Sequence, residues 1–391
     1  MTRLRPHALA LALLGLLALN LPAGSTCPFC TAELGRTMVD DYAKSQLVVF
    51  GTFTNPRQGD TGFDGKTDFE IESIIKGEDL VKGAKKFTIN KVVNQPNVKF
   101  LLFCDVFKGR VDPYRADPIA EGSELVRYLT GAVKHKDGPI SERLKYCFAF
   151  LNSKEYEVSL DAYREFGAAD YKEYQGMAKD LDPGVLKAWL KDEKTPPYRF
   201  GLYASLLGHC GKGKPDGDFL KNLIENTDRH KGSGLDGMLV AYVMIEPKEG
   251  WQYLERSVIA NAKNDFNMRY AGLRSLRFIW SQRPDLVDKK DLVRGMLEAA
   301  EHYDIADFAI EDLRKWRRWE CTDDVLRLGA RKTHDAGVIQ RAVLRFMLQS
   351  NSPKAAEYVA RQRKRDPDLV RDTEELLKIE GDVAPPATNG K

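Results

Sequence analysis

The sequence predicts an α+β multidomain chain, a small β-barrel followed by an all-α solenoid. Three observations predict it. Four or five short β-rich runs fall between Gln46 and Ile119. From Glu121 to Glu380 the pattern changes to amphipathic helices. Within that stretch, helical segments start at Arg199, Gly234, Arg269, Asp307 and Val338, at separations of 35, 35, 38 and 31 residues. Paired helices at a period of about 30–45 residues are the signature of a helical repeat array.

The chain has 391 residues, which predicts two or three domains. Hydrophobic residues make up 43% and charged residues 30%, a composition that buries an ample core and excludes a disordered chain. The net charge of +3 gives no reason to expect a nucleic-acid partner or an anionic membrane surface.

Residues 1–7 carry Arg3 and Arg5, residues 8–21 are almost wholly apolar, and Pro22-Ala23-Gly24-Ser25 supplies a breaker and small residues. This reads as a signal peptide over 1–25, with the mature chain starting at Thr26 in the periplasm or outside the cell. Its apolar core is too short for a membrane span, and no other stretch approaches about 18 apolar residues, so no span is expected after its removal.

Cys27-Pro28-Phe29-Cys30 follows at once. In letters it matches the glutaredoxin active site, where the motif follows a buried strand and opens a helix that lowers the thiol pKa. A helix is expected within 31–44, but the leader leaves no room for the strand. No His follows Cys30, which excludes c-type haem attachment. The other reading is structural. The six cysteines are Cys27, Cys30, Cys104, Cys147, Cys210 and Cys321, and exported cysteines tend to pair. Six cysteines allow fifteen pairings, so sequence leaves the connectivity open. Because Cys104 lies in the most hydrophobic strand run, 98–107, the expectation is a bond from Cys104 to Cys27 or Cys30 that pins the mobile chain start to the sheet.

Strands are expected at 46–54, 67–75, 86–93 and 98–107, with a Gly-rich connection at 59–65. Residues 110–118, with Pro113 and Pro118, read as a turn and extended exit. Together these runs make a barrel domain over 26–120. The paired-cysteine start, Val48-Val49-Phe50-Gly51-Thr52, Thr67-Asp68-Phe69-Glu70-Ile71-Glu72-Ser73-Ile74-Ile75-Lys76-Gly77 and Phe100-Leu101-Leu102-Phe103-Cys104 resemble netrin modules and tissue inhibitors of metalloproteinases. That resemblance implies an OB-like barrel and suggests a protease-inhibitor-like regulator. Those inhibitors begin Cys-x-Cys and place the terminal amine on a zinc. This chain has Cys-x-x-Cys, with Thr26 before it.

Residues 121–380 read as the helical domain. Helices are expected at 123–133 and 140–151, split by Lys136-Asp137-Gly138-Pro139, and again within 158–190. Each repeat start is followed by a turn and a second helical run, at 218–225, 250–259, 290–300, 323–329 and 353–363. Tyr270, Leu273, Leu276 and Trp280 show the apolar stripe that needs a neighbour. Unit length and helix–turn–helix form resemble HEAT repeats, which implies a curved stack of helix pairs that binds another macromolecule. The fixed tryptophan, glycine and tyrosine positions of tetratricopeptide repeats are missing. As a whole the chain resembles exported proteins of planctomycete-type bacteria, and no activity comes with that resemblance. Residues 381–391, with Pro385-Pro386, read as a disordered tail.

The chemistry-bearing strings are few. Gly208-His209-Cys210-Gly211-Lys212-Gly213 holds two ligand types, but neighbours on a helix point about 100° apart. The string reads as a helix end with Gly211 as the stop. It is not a P-loop, and no Gly-x-Ser-x-Gly, His-Glu-x-x-His or dinucleotide fingerprint is present. His135, His230, His302 and His334 are scattered. No catalytic residue, metal site or cofactor is assigned. Arg277, Arg314 and Arg345 each follow a leucine at matching repeat positions. They are candidates for a groove that takes an acidic partner. The alternative, which regular scaffolds favour, is a ladder with acids such as Asp307, Glu311 and Asp312. The five tryptophans read as packing residues. The functional expectation is an exported binding scaffold for a protein or polysaccharide. The alternatives are the inhibitor-like regulator and a thiol oxidoreductase using Cys27 and Cys30.

Overall fold

A strand with apolar side chains at successive positions presents them to both sides and needs cover on both. The run from Phe100 to Cys104 is such a strand, and it lies inside a five-stranded antiparallel sheet, with a strand on either side. The computed structural model describes residues 27, 29–30, 35–59, 65–230 and 232–383. The leader at 1–25 and most of the tail lie outside the described residues.

The strands are β1 (Leu47–Gln58), β2 (Gly65–Lys76), β3 (Lys86–Ile89), β4 (Lys99–Phe107) and β5 (Arg110–Ile119), in the order β3-β2-β1-β4-β5. The sheet is open, with β3 and β5 as its edges. Gly51 sits at a register shift between β1 and β2, where a Cβ would come within 1.9 Å of the Glu70 carbonyl oxygen. Only glycine lets the strands approach there. Residues 110–118 are not an exit segment but strand β5. Pro113 and Pro118 face Cys104 and Phe100 across the pair, and an edge strand tolerates their missing N–H groups.

Two short helices accompany the sheet, α1 (Met38–Lys44) and α2 (Glu78–Val81). Thr37 and Asp40 cap α1 reciprocally, each side chain accepting from the other's backbone N–H. The helical part begins with α3 (Leu125–Lys134), α4 (Ile140–Phe148), α5 (Tyr156–Ala168), α6 (Tyr171–Ala178) and α7 (Pro183–Lys191). It continues with α8 (Phe200–Cys210), α9 (Gly213–Glu225), α10 (Thr227–His230), α11 (Leu235–Ile245), α12 (Pro247–Tyr253), α13 (Phe266–Gln282) and α14 (Lys289–Ala300). It ends with α15 (Ala306–Lys315), α16 (Thr322–Gly329), α17 (Gly337–Gln349), α18 (Pro353–Arg365) and α19 (Pro367–Val383). The last helix carries three residues that the sequence assigned to a disordered tail. Helix α9 starts five residues before the expected run, because Pro215 is tolerated in a first turn.

Alternation divides the sheet's apolar residues between two cores. Leu47, Val49, Phe53, Phe69, Phe100, Leu102 and Cys104 lie on one face, where Phe53 packs edge-on against Phe69 and Phe100 at 4.9 and 5.1 Å. Val48, Leu101 and Phe103 face the helices and join a single apolar cluster that runs on to Val370 in α19. The change from strand to helix falls between Ile119 and Leu125, but the larger core crosses it without a break.

A polar cluster is buried at the same junction. The carboxylate of Asp161 in α5 accepts the Met38 backbone N–H at 2.8 Å and the Tyr128 hydroxyl at 3.0 Å. One turn on, Glu165 pairs with Arg143 of α4 at 2.8 Å. From β5, Arg115 reaches Asp41 of α1 at 2.7 Å. Burial, and then the neighbouring Glu165, push the Asp161 carboxyl up to about 7 against the pull of its two donors and Arg115.

A carboxyl with a folded pKa above its unfolded value adds stability at low pH, and that stability is lost as pH rises through the folded pKa. Asp161→Asn keeps the shape and removes the titration. The melting temperature of the variant relative to the parent should therefore rise between about pH 4 and about pH 8. A flat difference across that range would show that Asp161 keeps an ordinary pKa in the fold.

Candidate functional site

The start of the described chain is seated on the helical part. Cys27 and Cys30 are joined by a disulfide, and the Cys30 N–H donates to the Cys27 carbonyl at 3.2 Å to close a tight turn. The Cys27 N–H donates to the Gly167 carbonyl at the end of α5. Between the cysteines, the Phe29 ring packs on Phe278 of α13 at 4.6 Å, and Phe278 meets Tyr171 of α6 edge-on at 4.9 Å. Pro28 lies outside the described residues.

Three glycines make room for this turn. A Cβ on Gly201 would lie 2.9 Å from the Phe29 carbonyl oxygen. Cβ atoms on Gly234 and Gly237 would come within 2.3 and 2.5 Å of the Gly201 backbone. Gly234 also has φ +70°, in the left-handed region that glycine adopts without strain. The starts of α8 and α11 therefore meet backbone to backbone beneath the disulfide turn.

Beside the turn opens a cleft of about 650 Å³, lined by Cys30, Tyr198, Ser233, Asp236, Asn267 and Arg274 among others. Asp236 is only 6% exposed and pairs with Arg274 at 2.7 Å. Burial raises its carboxyl pKa, and the Arg274 guanidinium opposes the rise. At the cleft edge Phe266 stacks on Tyr270 at 5.5 Å. Cys30, half-buried, is part of the lining.

The expected bond from Cys104 to Cys27 or Cys30 is not formed. Cys104 is a free, buried thiol on the sheet face turned away from the helices, whereas Cys27 packs in the core on the other face. A one-residue difference in parity along β4 decides this, since neighbours in a strand point to opposite sides. Burial, reinforced by Asp112 and Asp105, pushes the Cys104 thiol up to about 12. Burial likewise pushes Cys321 up to about 12 and Cys210 to about 11, and raises Cys147, so all four free cysteines are protonated thiols near neutral pH.

The three repeat arginines are engaged within the chain. Arg277 pairs with Asp312 at 2.5 Å. Arg314 reaches Glu311, Glu380 and Gln349 at 2.7, 3.0 and 2.8 Å. Arg345 reaches Glu311 at 2.6 Å and Glu380 at 2.5 Å. Of the acids named as ladder partners, Glu311 and Asp312 take part. Glu380 lies in α19, outside the repeat pattern, where sequence spacing gives no sign of it.

His209 lies in the last turn of α8, which ends at Gly211. Its Nε2 sits 3.0 Å from the Tyr171 hydroxyl, and burial lowers its pKa to about 4, helped by Arg283 and Lys179. Among the described residues no group of three or more His, Cys, Asp or Glu side chains is placed to hold a metal ion, and no helix is long and apolar enough to cross a membrane. Trp280 stacks on Trp316 at 4.0 Å and Trp319 meets Phe346 at 5.1 Å, both in the body of the helical array. Compared with protein-family models, curated proteins and solved structures, the chain matches none.

Two measurements test this geometry. Without reductant, the folded protein should expose no reactive thiol. After mild reduction an alkylating probe should label Cys30 well before Cys104, Cys147, Cys210 or Cys321, as peptide mapping would show. Early labelling of Cys104 would contradict its burial. Separately, Arg345→Ala leaves Glu311 and Glu380 each short of a partner and should cost about 1–3 kcal/mol in urea unfolding. An unchanged unfolding midpoint would show that the ladder carries no stability.

Proposed function

We propose that this chain is an exported binding scaffold whose cleft beside the Cys27–Cys30 turn receives a protein partner. In this reading the helices form a HEAT-like solenoid, and the sheet is an OB-like module that holds the start of the chain against it. The observation that carries the proposal is the cleft itself. It is assembled from Tyr198 just ahead of α8, the start of α11 and the first half of α13, around an anchored turn. A site that exists only where several repeats meet is the usual form of recognition on such arrays.

The repeat reading is supported by ties at offsets of 35 to 38 residues. Arg269 pairs with Asp304 at 2.5 Å, Tyr270 packs on Phe308 at 5.4 Å, and Arg277–Asp312 and Trp280–Trp316 join residues 35 and 36 positions apart. The chemistry of the cleft suits a polypeptide. The Asp236–Arg274 pair, the Asn267 amide and the Ser233 hydroxyl offer both donors and acceptors beside aromatic rings. Export is inferred from the leader alone. The inhibitor-like reading gains no comparable support, because the Cys27 nitrogen is turned to the Gly167 carbonyl inside the fold.

Asn267 is exposed at the cleft wall, so Asn267→Trp fills the cleft without disturbing the core. A photo-crosslinker at position 267 should capture a polypeptide in the native envelope, and the purified partner should bind saturably. Asn267→Trp and Arg274→Glu should each weaken that binding at least about tenfold, or about 1.4 kcal/mol. Recovery of a polysaccharide alone, or equal capture from position 221 on α9, would overturn the proposal.

A further inference from the structure

We infer that Cys27 and Cys30 form a thiol–disulfide exchange site, and that the partner received by the cleft is a protein carrying a pair of thiols. The inference rests on the binding reading above and names the chemistry done there.

A disulfide spanning one tight turn closes the shortest of loops, and the restraint a crosslink places on an unfolded chain grows with loop length. The turn is already held by the Cys27 N–H on Gly167, the Cys30 N–H on Cys27 and Phe29 on Phe278. A bond that adds so little to the fold is free to serve chemistry. The two sulfurs are also unequal. Cys27 is 3% exposed and belongs to the apolar core, while Cys30 is half-buried and lines the cleft. An incoming thiolate in the cleft therefore meets Cys30. The four remaining cysteines are buried and do not compete.

In the first step a partner thiolate attacks the Cys30 Sγ. The Cys27–Cys30 bond breaks, a partner–Cys30 mixed disulfide forms, and Cys27 leaves as a thiolate that takes up the proton the partner thiol released. In the second step the partner's other thiol, deprotonated, attacks its own mixed-disulfide sulfur. Cys30 leaves as a thiolate and is protonated in turn. Two electrons and two protons pass from the partner dithiol to the Cys27–Cys30 disulfide, so the partner is oxidised and the chain reduced. A disulfide of the glutathione class restores the starting state.

The test uses the full oxidised chain and a reduced synthetic peptide with two cysteines. One equivalent of chain should oxidise about one equivalent of peptide, much faster than oxidised glutathione does under the same conditions. Given the oxidised form of the same peptide, Cys27→Ser should hold it as a mixed disulfide on Cys30, the peptide's second sulfur leaving as a thiolate, and Cys30→Ser should trap it at least about tenfold more slowly. Equal trapping by the two variants would overturn the inference. Should either variant fold poorly, the parent rate decides: exchange no faster than with glutathione also overturns it. If exchange fails while a chain carrying both Cys27→Ser and Cys30→Ser still binds the captured partner, the exchange falls and the binding reading stands. If exchange proceeds but Asn267→Trp leaves partner binding untouched, the binding reading falls instead.

Discussion

One buried carboxylate ties the chain start to the helices. Asp161 takes its two donors from Met38, ahead of the sheet, and from Tyr128, on the first helix after it. An acid this deep in an apolar core is costly unless its oxygens are satisfied, and both donors come from elsewhere in sequence. The geometry is therefore specified from three directions at once. Arg115 with Asp41 and Arg143 with Glu165 extend the same cluster to β5 and α4. The apolar core that surrounds it then runs on through the helices. The strand-rich and helix-rich stretches differ in sequence pattern, but physically they share an interior.

Much of the architecture was legible because periodicity reports burial directly. Helices begin at Phe200, Leu235, Phe266, Ala306 and Gly337, each within three residues of a start read from the sequence. The strands around Val48–Phe53 and Phe100–Cys104 were legible for the same reason. What failed were places where a local signal is ambiguous. Pro113 and Pro118 suggest an exit when read alone, yet an edge strand accepts them. Pro215 looks like a breaker, yet it fits a helix's first turn. The cleft was not legible at all. It depends on Gly201, Gly234 and Gly237 meeting backbone to backbone, and such an approach leaves no periodic trace. Asp236 and Arg274, 38 positions apart, become partners only through that approach.

The helical ties share one logic with the cleft. Arg269 and Arg277 of α13 pair with Asp304, just ahead of α15, and with Asp312 in α15, and Arg345 of α17 pairs with Glu380 of α19, each at an offset of 35 residues. Glu311 and Glu380 each accept from two arginines, so the last repeats and α19 are clamped as a group. The arginine row, which the sequence left between an acidic-partner groove and a ladder, makes these ion pairs within the chain. The cleft beside Cys30 carries both charge signs, in Asp236 and Arg274.

The parity of β4 has a kinetic meaning as well. By placing Cys104 on one face of the sheet and Cys27 on the other, the fold puts a hydrogen-bonded wall between a reduced thiol and an oxidised pair. Disulfide shuffling needs three sulfurs in line, and no path through a closed ladder of strands supplies that. Once the sheet has formed, the pairings that join Cys104 to Cys27 or Cys30 are no longer in competition. The oxidised turn and the Cys104 thiol become separate redox compartments within a single polypeptide, insulated by one strand's alternation.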